Sequence, residues 1–270
     1  MTSSPPSCPK SMPDLTPSKA PPEAALAFLC HGPLQAWGTS SRFPRRDTLA
    51  HPTKSGILGL VAAATGIDKF AENEAERLTP LVDLRLSTYA VPRKNHYKKD
   101  LPVTRLQDFH TIGGGFHKTH PVERSHIPRK ASGGLSANAV ITRRDYLTDA
   151  CFLIILEGQE ETLRNAKTAL LNPRWGLWLG RKSCLPSLPL SPAVSSTPQH
   201  AATGILEKLG YQKETPLTQF DHTEEKESSL SYFQTDHPTA YAPRTYQSRP
   251  LTRTPGIPAK KEDFDMMPLK

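Results

Sequence analysis

The chain has 270 residues and is 36% hydrophobic, below the roughly 45–50% of an ordinary globular domain. Its 34 Lys+Arg against 26 Asp+Glu give a net charge of +8 and a pI near 9.3, which favours a polyanionic partner, nucleic acid before membrane. No run of about 18 apolar residues, no basic-then-apolar leader and no Cys-x-x-Cys pair is present, so no membrane span, secretory signal or zinc knuckle is expected, and Cys8, Cys30, Cys151 and Cys184 read as free thiols in the cytoplasm.

Residues 1–22 carry seven prolines and read as a disordered extension. Residues 24–31 are short and apolar, and Gly32-Pro33 should stop them, which suits a buried first strand. A loop with Arg42, Arg45 and Arg46 follows. Thr53 then reads as the N-cap of a helix whose apolar face is Ile57, Leu58, Leu60, Val61 and Ala64, with Gly66 at its end. The start of this helix could hold a phosphate on free backbone N–H groups, helped by Lys54 and Ser55. It is no Walker loop, because no GxxxxGK[ST] arrangement occurs. Residues 67–78 predict a second helix ended by Thr79-Pro80, and residues 81–91 a strand with Leu84, Leu86, Thr88 and Ala90 on one side.

Residues 85–144 concentrate the positive charge: 12 of the 34 Lys+Arg, three of the 26 Asp+Glu and five of the ten histidines. The remainder sums to −1, so the excess charge belongs to one segment. Its prolines and Gly113-Gly114-Gly115 argue against one continuous element, and we expect a long hairpin or irregular arm. Basic residues interleaved with Tyr, Phe and His offer charge for phosphates and rings for bases. Residues 150–156 then predict a second buried strand ending at Gly158. Residues 160–171 predict a helix burying Leu163, Ala166 and Leu170, and residues 175–180 a return to the sheet. A βαββαβ order is expected: an α+β, ferredoxin-like or RRM-like body over residues 23–194, with an inserted arm at about 85–144 and a small irregular portion over 195–270. The aromatic signature of a standard RNA-recognition motif is absent from the presumed central strands.

Several motifs together resemble a known family. Residues 32–38 (Gly-Pro-Leu-Gln-Ala-Trp-Gly) and 53–60 (Thr-Lys-Ser-Gly-Ile-Leu-Gly-Leu) look like the opening of the CasD-type, RAMP-superfamily subunit of the type I-E CRISPR Cascade complex. Residues 106–111 (Leu-Gln-Asp-Phe-His-Thr), 144–150 (Arg-Asp-Tyr-Leu-Thr-Asp-Ala), and Pro173-Arg174 with 179–184 (Leu-Gly-Arg-Lys-Ser-Cys) resemble its later motifs in order. The proline-rich extension departs from that pattern, as does Leu185-Pro186 after Cys184. The resemblance implies a modified RRM-like body with a protruding thumb inside residues 85–144. It implies that body and thumb grip the 5′ handle of the crRNA, cap the backbone filament and touch the large PAM-reading subunit. Target DNA would then be met through the complex, and a separate subunit would cut the crRNA precursor.

No cofactor, metal or catalytic role is expected. His117-x-x-His120 lacks a third ligand at a familiar spacing. The alternative function is a metal-independent endoribonuclease processing pre-crRNA, for which Tyr97, His110, His117, Lys118 and His120 could supply acid, base and cation. The RNA contacts expected are Arg105, His110, Arg143 and Arg144, then Lys54, Ser55, Arg42 and Arg45, with Phe109, Gln35 and Trp37 beside them.

Overall fold

A computed structural model describes residues 23–38, 44–94, 100–101, 103–114, 119–130, 132–136, 138–208, 210, 217–222, 231–242 and 244–254. The chain runs β1 (Ala24–Gln35), β2 (Arg45–Arg46), α1 (Lys54–Thr65), α2 (Glu74–Val82), β3 (Arg85–Ala90), β4 (Arg93–Lys94) and β5 (Asp100–Leu101). It continues with β6 (Thr104–Ile112), α3 (Pro121–Ser125), β7 (Val140–Gly158), α4 (Glu160–Leu171) and β8 (Ala193–Ser195). The last elements are α5 (Pro198–Lys208), β9 (Thr218–His222), β10 (Ser231–Tyr241) and β11 (Arg244–Thr254).

Among the described residues this is a mixed α/β fold around one large sheet, in the order β10-β11-β9-β3-β7-β1-β8, with β2 and β6 added along β7. The ladders are antiparallel except β2 with β7. β4 and β5 pair separately. β1 and β7 are apolar on both faces because both faces are covered. Leu26, Phe28 and Cys30 of β1 join Ile57, Leu58 and Val61 of α1 and Leu163 and Ala166 of α4 in one core. Ala25, Ala27 and Leu29 join Ala201 and Ile205 of α5 in the other.

Local signals place α1 and α4 well. Thr53 Oγ1 accepts from Gly56 N, and Gly66 closes α1 at φ 71°, in the left-handed region that suits glycine. In α4 the buried residues are Leu163, Ala166 and Leu170.

Elsewhere tertiary pairing overrides the local reading. β1 does not stop at Gly32-Pro33 but runs to Gln35, because β7 keeps pairing with it as far as Leu147. Pro33 is tolerated there, since β8 covers only Ala25–Ala27 on the other edge. The helix expected over 67–78 forms instead as α2 and runs through Pro80, anchored by buried Leu78 and Leu81. Its expected start is a turn in which Asp68 Oδ1 accepts from Phe70 N. The strand expected over 81–91 accordingly begins only at Arg85. Residues 175–180 form no strand; β8 is the element beside β1. The C-terminal stretch, expected to be small and irregular with a short helix at Ile205-Leu206 and short strands at Tyr232-Phe233 and Tyr241, forms α5 and β10 there and supplies three strands of the main sheet.

β7 is 19 residues long, not the short strand expected at 150–156. Leu147 and Thr148 pair with both β1 and β6, so those neighbours lie on opposite edges of β7. β6 therefore follows β3 along one edge, and β2 follows β1 along the other. Asp149, at φ 53°, marks the change of partner from β3 to β6.

Candidate nucleic-acid interface

The first half of β7 is the middle strand of a three-stranded ladder, with β2 on one side and β6 on the other. Register partners share a side of a sheet, and neighbours in sequence alternate. Arg45, Arg143 and Phe109 therefore form one cross-strand row, with Arg105 farther along the same side. Arg46, Arg144 and Asp108 form the adjacent row on the opposite side, with His110 next to it. The ladder thus presents arginines on both faces, and the expected residues do not converge on one.

On the first side, Arg105 and Arg143 are exposed and Phe109 is 61% exposed, a large ring in water. Arg143 N donates to Pro44 O at 2.7 Å, which seats β2. Arg45 lies in the open, with Nε donating to Asp47 Oδ1 at 2.8 Å and Nη2 4.0 Å from Asp145 Oδ2. Asp145 is buried and also accepts from Gln107 Nε2 at 2.9 Å. On the second side, Arg144 Nε donates to Thr142 Oγ1 at 3.1 Å, and His110 Nδ1 lies 3.4 Å from Asp108 Oδ2. Exposed pairs of this kind are weak and can exchange partners for phosphate oxygens.

A second feature is a groove of about 800 Å³ over α1. Arg46 and Asp47, Ser55 and Gly56, Trp178, Arg181, and Tyr241, Arg244 and Tyr246 line it. Its floor depends on close backbone approach. A Cβ on Gly180 would lie 1.8 Å from Ala36 O, and a Cβ on Gly56 2.8 Å from Trp37 Cε3. Ala36 N donates to Leu179 O, and Leu179 N donates to Cys184 O, so the 32–38 and 179–184 motifs are one packed unit. Arg181 braces it: the guanidinium sits 4.6 Å from the Tyr146 ring centroid and donates to Asp145 O and Arg46 O at 2.8 and 2.7 Å.

Several expected contacts are corrected. Lys54 is buried, its Nζ donates to Val82 O at 2.7 Å, and burial lowers its pKa to about 7, with Arg249 adding to the fall. The helix start expected to hold a phosphate is already occupied, since Lys54 N donates to Asp236 Oδ2 at 2.6 Å. Ser55 does line the groove. Trp37 is 1% exposed and donates from Nε1 to Gln35 Oε1 at 3.0 Å. Gln35 is fully buried and donates from Nε2 to Cys30 O and Ala150 O at 3.0 and 2.8 Å. Both stitch β1 to β7 and the loop that follows; Gln35 is withdrawn from the surface, and Trp37 borders the groove with almost none of its ring exposed. Arg42, Tyr97, His117 and Lys118 lie outside the described residues. Among the described residues no three His, Cys, Asp or Glu side chains gather as metal ligands, and no helix is long and apolar enough to cross a membrane.

Of the groove's lining, Trp178, Arg181, Tyr241, Arg244 and Tyr246 were not among the contacts expected from the sequence, although Arg181 lies in the 179–184 motif. Arg244 and Tyr246 lie in a stretch read as irregular, so nothing local pointed to them. The glycines at 176 and 180 around Trp178 were the available signal.

A family model described as CRISPR-associated protein (Cas_Cas5) matches residues 25–252. The chain is 29% identical over 226 residues to the CRISPR system Cascade subunit CasD of Escherichia coli (strain K12), covering 81% of this chain and 90% of that one. A chain of a CRISPR RNA-guided surveillance complex matches with a TM-score of 0.62 at 26% identity, over 86% of this chain and 90% of its own length. A crystal structure of a Cas protein matches with a TM-score of 0.53 at 27% identity, over 85% and 93%. The family match runs from β1 into β11 and so spans the whole folded body: the chain belongs to the CRISPR-associated protein family Cas_Cas5.

Proposed function

We propose that this protein is a non-catalytic RNA-binding subunit of a type I-E Cascade surveillance complex, which grips the crRNA 5′ handle and caps the backbone filament for RNA-guided antiviral defence. The observation that carries the reading is the row of Arg45, Arg143 and Phe109, with Arg105 along the same side, held on a rigid three-stranded ladder. Arginines on such a frame suit a phosphate backbone, and an exposed ring beside them suits an unpaired base. The groove with Trp178, Tyr246, Arg46 and Arg244 suits further unpaired nucleotides of the same strand. The relative named as a Cascade subunit supports the choice of complex. We read the body as ferredoxin-like: β1, α1, β3, β7, α4 and β8 follow in a β-α-β-β-α-β order, and their strands lie as β8-β1-β7-β3. The β6–β7 extension is then the thumb. Partners would be the crRNA, the filament subunit and the large PAM-reading subunit, in the cytoplasm.

The test is a mobility-shift assay with labelled crRNA and its unprocessed precursor, in EDTA, across a salt series. The expected result is salt-sensitive binding that requires the handle and leaves the precursor intact. Equal binding of an RNA without the handle would overturn the handle reading. Cleavage of the precursor, lost in His117→Ala or Lys118→Ala, would make the protein the processing ribonuclease.

A further inference from the structure

The outer wall of the groove comes from the C-terminal hairpin, through Thr235, Tyr241, Arg244 and Tyr246 of β10 and β11. This hairpin is fastened to α1 by charge and hydrogen bonds. Asp236, whose side chain is fully buried, accepts four hydrogen bonds, one from α1 across the seam and three from within the hairpin itself. Lys54 N, Gln234 Nε2 and Arg249 Nε each lie at 2.6 Å, and Arg249 Nη2 at 3.1 Å. Arg249 is 4% exposed, and its Nη1 is buried with no hydrogen-bond partner. Five more titratable groups among the described residues lie around this pair. They are Lys54 of α1, Asp83 after α2, Tyr232 of β10, Arg253 of β11, and His51, which is hydrogen-bonded to Tyr232 OH at 3.1 Å and stacked on Phe220. Tyr241 adds two ties, donating from its hydroxyl to Ser55 O and from its backbone N to Glu74 Oε1.

We infer that Asp236 is the positioning residue of the groove's outer wall, and that its seam is a latch from which the β10–β11 hairpin can separate, giving up its four-residue pairing with β9, while the β1–β7 body stays folded. Asp236 ties β10 to β11 through Arg249 and the hairpin to α1 through Lys54 N, so losing its charge leaves Arg249 uncompensated in a poor solvent for ions and frees the α1 contact at once. The body depends on aliphatic burial, and of these groups Lys54 alone also reaches it, through its bond to Val82 O. Acid works in the same direction as losing Asp236. Lys54 and His51 both have lowered pKa values, mainly through burial, so protonating either one adds positive charge beside Arg249. The inference rests on the RNA-binding reading only where it predicts an effect on RNA.

Amide hydrogen exchange of the full chain tests it, with rates corrected for intrinsic pH dependence. In Asp236→Asn, exchange across 232–242 and 244–253 should rise at least tenfold, while 24–31 and 150–157 stay as in wild type. Taking wild type from pH 8 to pH 6 should open the same two segments, and by less in Lys54→Met. Arg249→Lys keeps the charge and loses the two-pronged contact, so it should give a smaller rise in the same place should Asp236→Asn not fold. Hairpin and body losing protection together in Arg249→Lys, or a hairpin protected as in wild type in Asp236→Asn, would overturn the latch. Affinity for crRNA should fall about tenfold in Asp236→Asn. An open hairpin with unchanged affinity would instead sink the groove as an RNA site and leave the latch standing.

Discussion

The seam that joins β1 and β7 to α1 and α4 differs in kind from the seam that joins α1 to the β10–β11 hairpin. In the first, Leu26, Phe28, Leu58, Ile154 and Leu163 meet with almost no exposed surface. In the second, a carboxylate, a guanidinium, an ammonium and an imidazole share a similarly buried space. Apolar burial is non-directional and roughly proportional to area, so the first seam loses stability in proportion to what is removed. The second depends on each partner, because an ion left alone costs far more than a missing methyl group. The rigid seam lies under the sheet, and the conditional one lies beside the groove. On the latch reading, the groove's outer wall moves while the body stays folded.

The largest expected effect sharpens this contrast from the apolar side. Phe28→Ala should destabilise the whole chain by about 3–5 kcal/mol, equally at pH 6 and pH 8. Denaturant melts at the two pH values measure this, and a strong pH dependence of that loss would blur the distinction between the seams. The next effect comes from Lys54. Its folded-state pKa of about 7 lies below the ordinary 10.5, so the unfolded chain holds the proton more tightly between those values. Stability should therefore rise with pH across that window, on the order of 1 kcal/mol per pH unit. Lys54→Met should abolish this component, and identical pH slopes for wild type and variant would show that the ammonium is not desolvated.

Smaller effects are expected at the ladder. Arg105→Ala and Arg143→Ala should each weaken crRNA binding by about 1–3 kcal/mol and flatten its salt dependence, with the melting curve unchanged. Wild-type binding by both variants would rule out that side of the ladder. Trp178→Ala should cost about 1–3 kcal/mol in binding if a base stacks on it, and titration against abasic handle RNAs would show whether the loss tracks one nucleotide. The smallest effect is at the exposed Arg164–Glu160 pair on α4, where Arg164→Ala should change stability by about 0.5 kcal/mol or less.

The legible parts of the chain were those decided by neighbours in sequence. The Thr53 cap, the Gly66 stop and the spacing of Leu163, Ala166 and Leu170 act within a turn or two, so α1 and α4 could be read directly. The motifs at 32–38, 53–60 and 179–184 were legible as marks of the family, but where each side chain goes was not. Gln35 and Trp37 looked like ligand residues and are buried stitches across β1 and β7. Lys54 looked like a phosphate ligand, but its ammonium is buried on Val82 O and its backbone N–H is taken by Asp236, 182 positions away. At the ladder, Arg105, Arg143 and Phe109 were singled out as separate residues. Only the β6–β7 register places them on one side and puts His110 and Arg144 on the other.

The sequence by itself determined a basic α+β chain with two helices, the first capped by Thr53 and Gly66, two buried strands and one segment carrying the excess charge. Those properties follow from composition and short-range periodicity, which need no partner. Tertiary structure decided the length of β7, the path of α2 through Pro80, and the recruitment of β9, β10 and β11 into the main sheet. It also decided which cations face water. Strand pairing and the burial of charge are set by segments far apart in the chain, and a residue's solvent is known only once those segments have met.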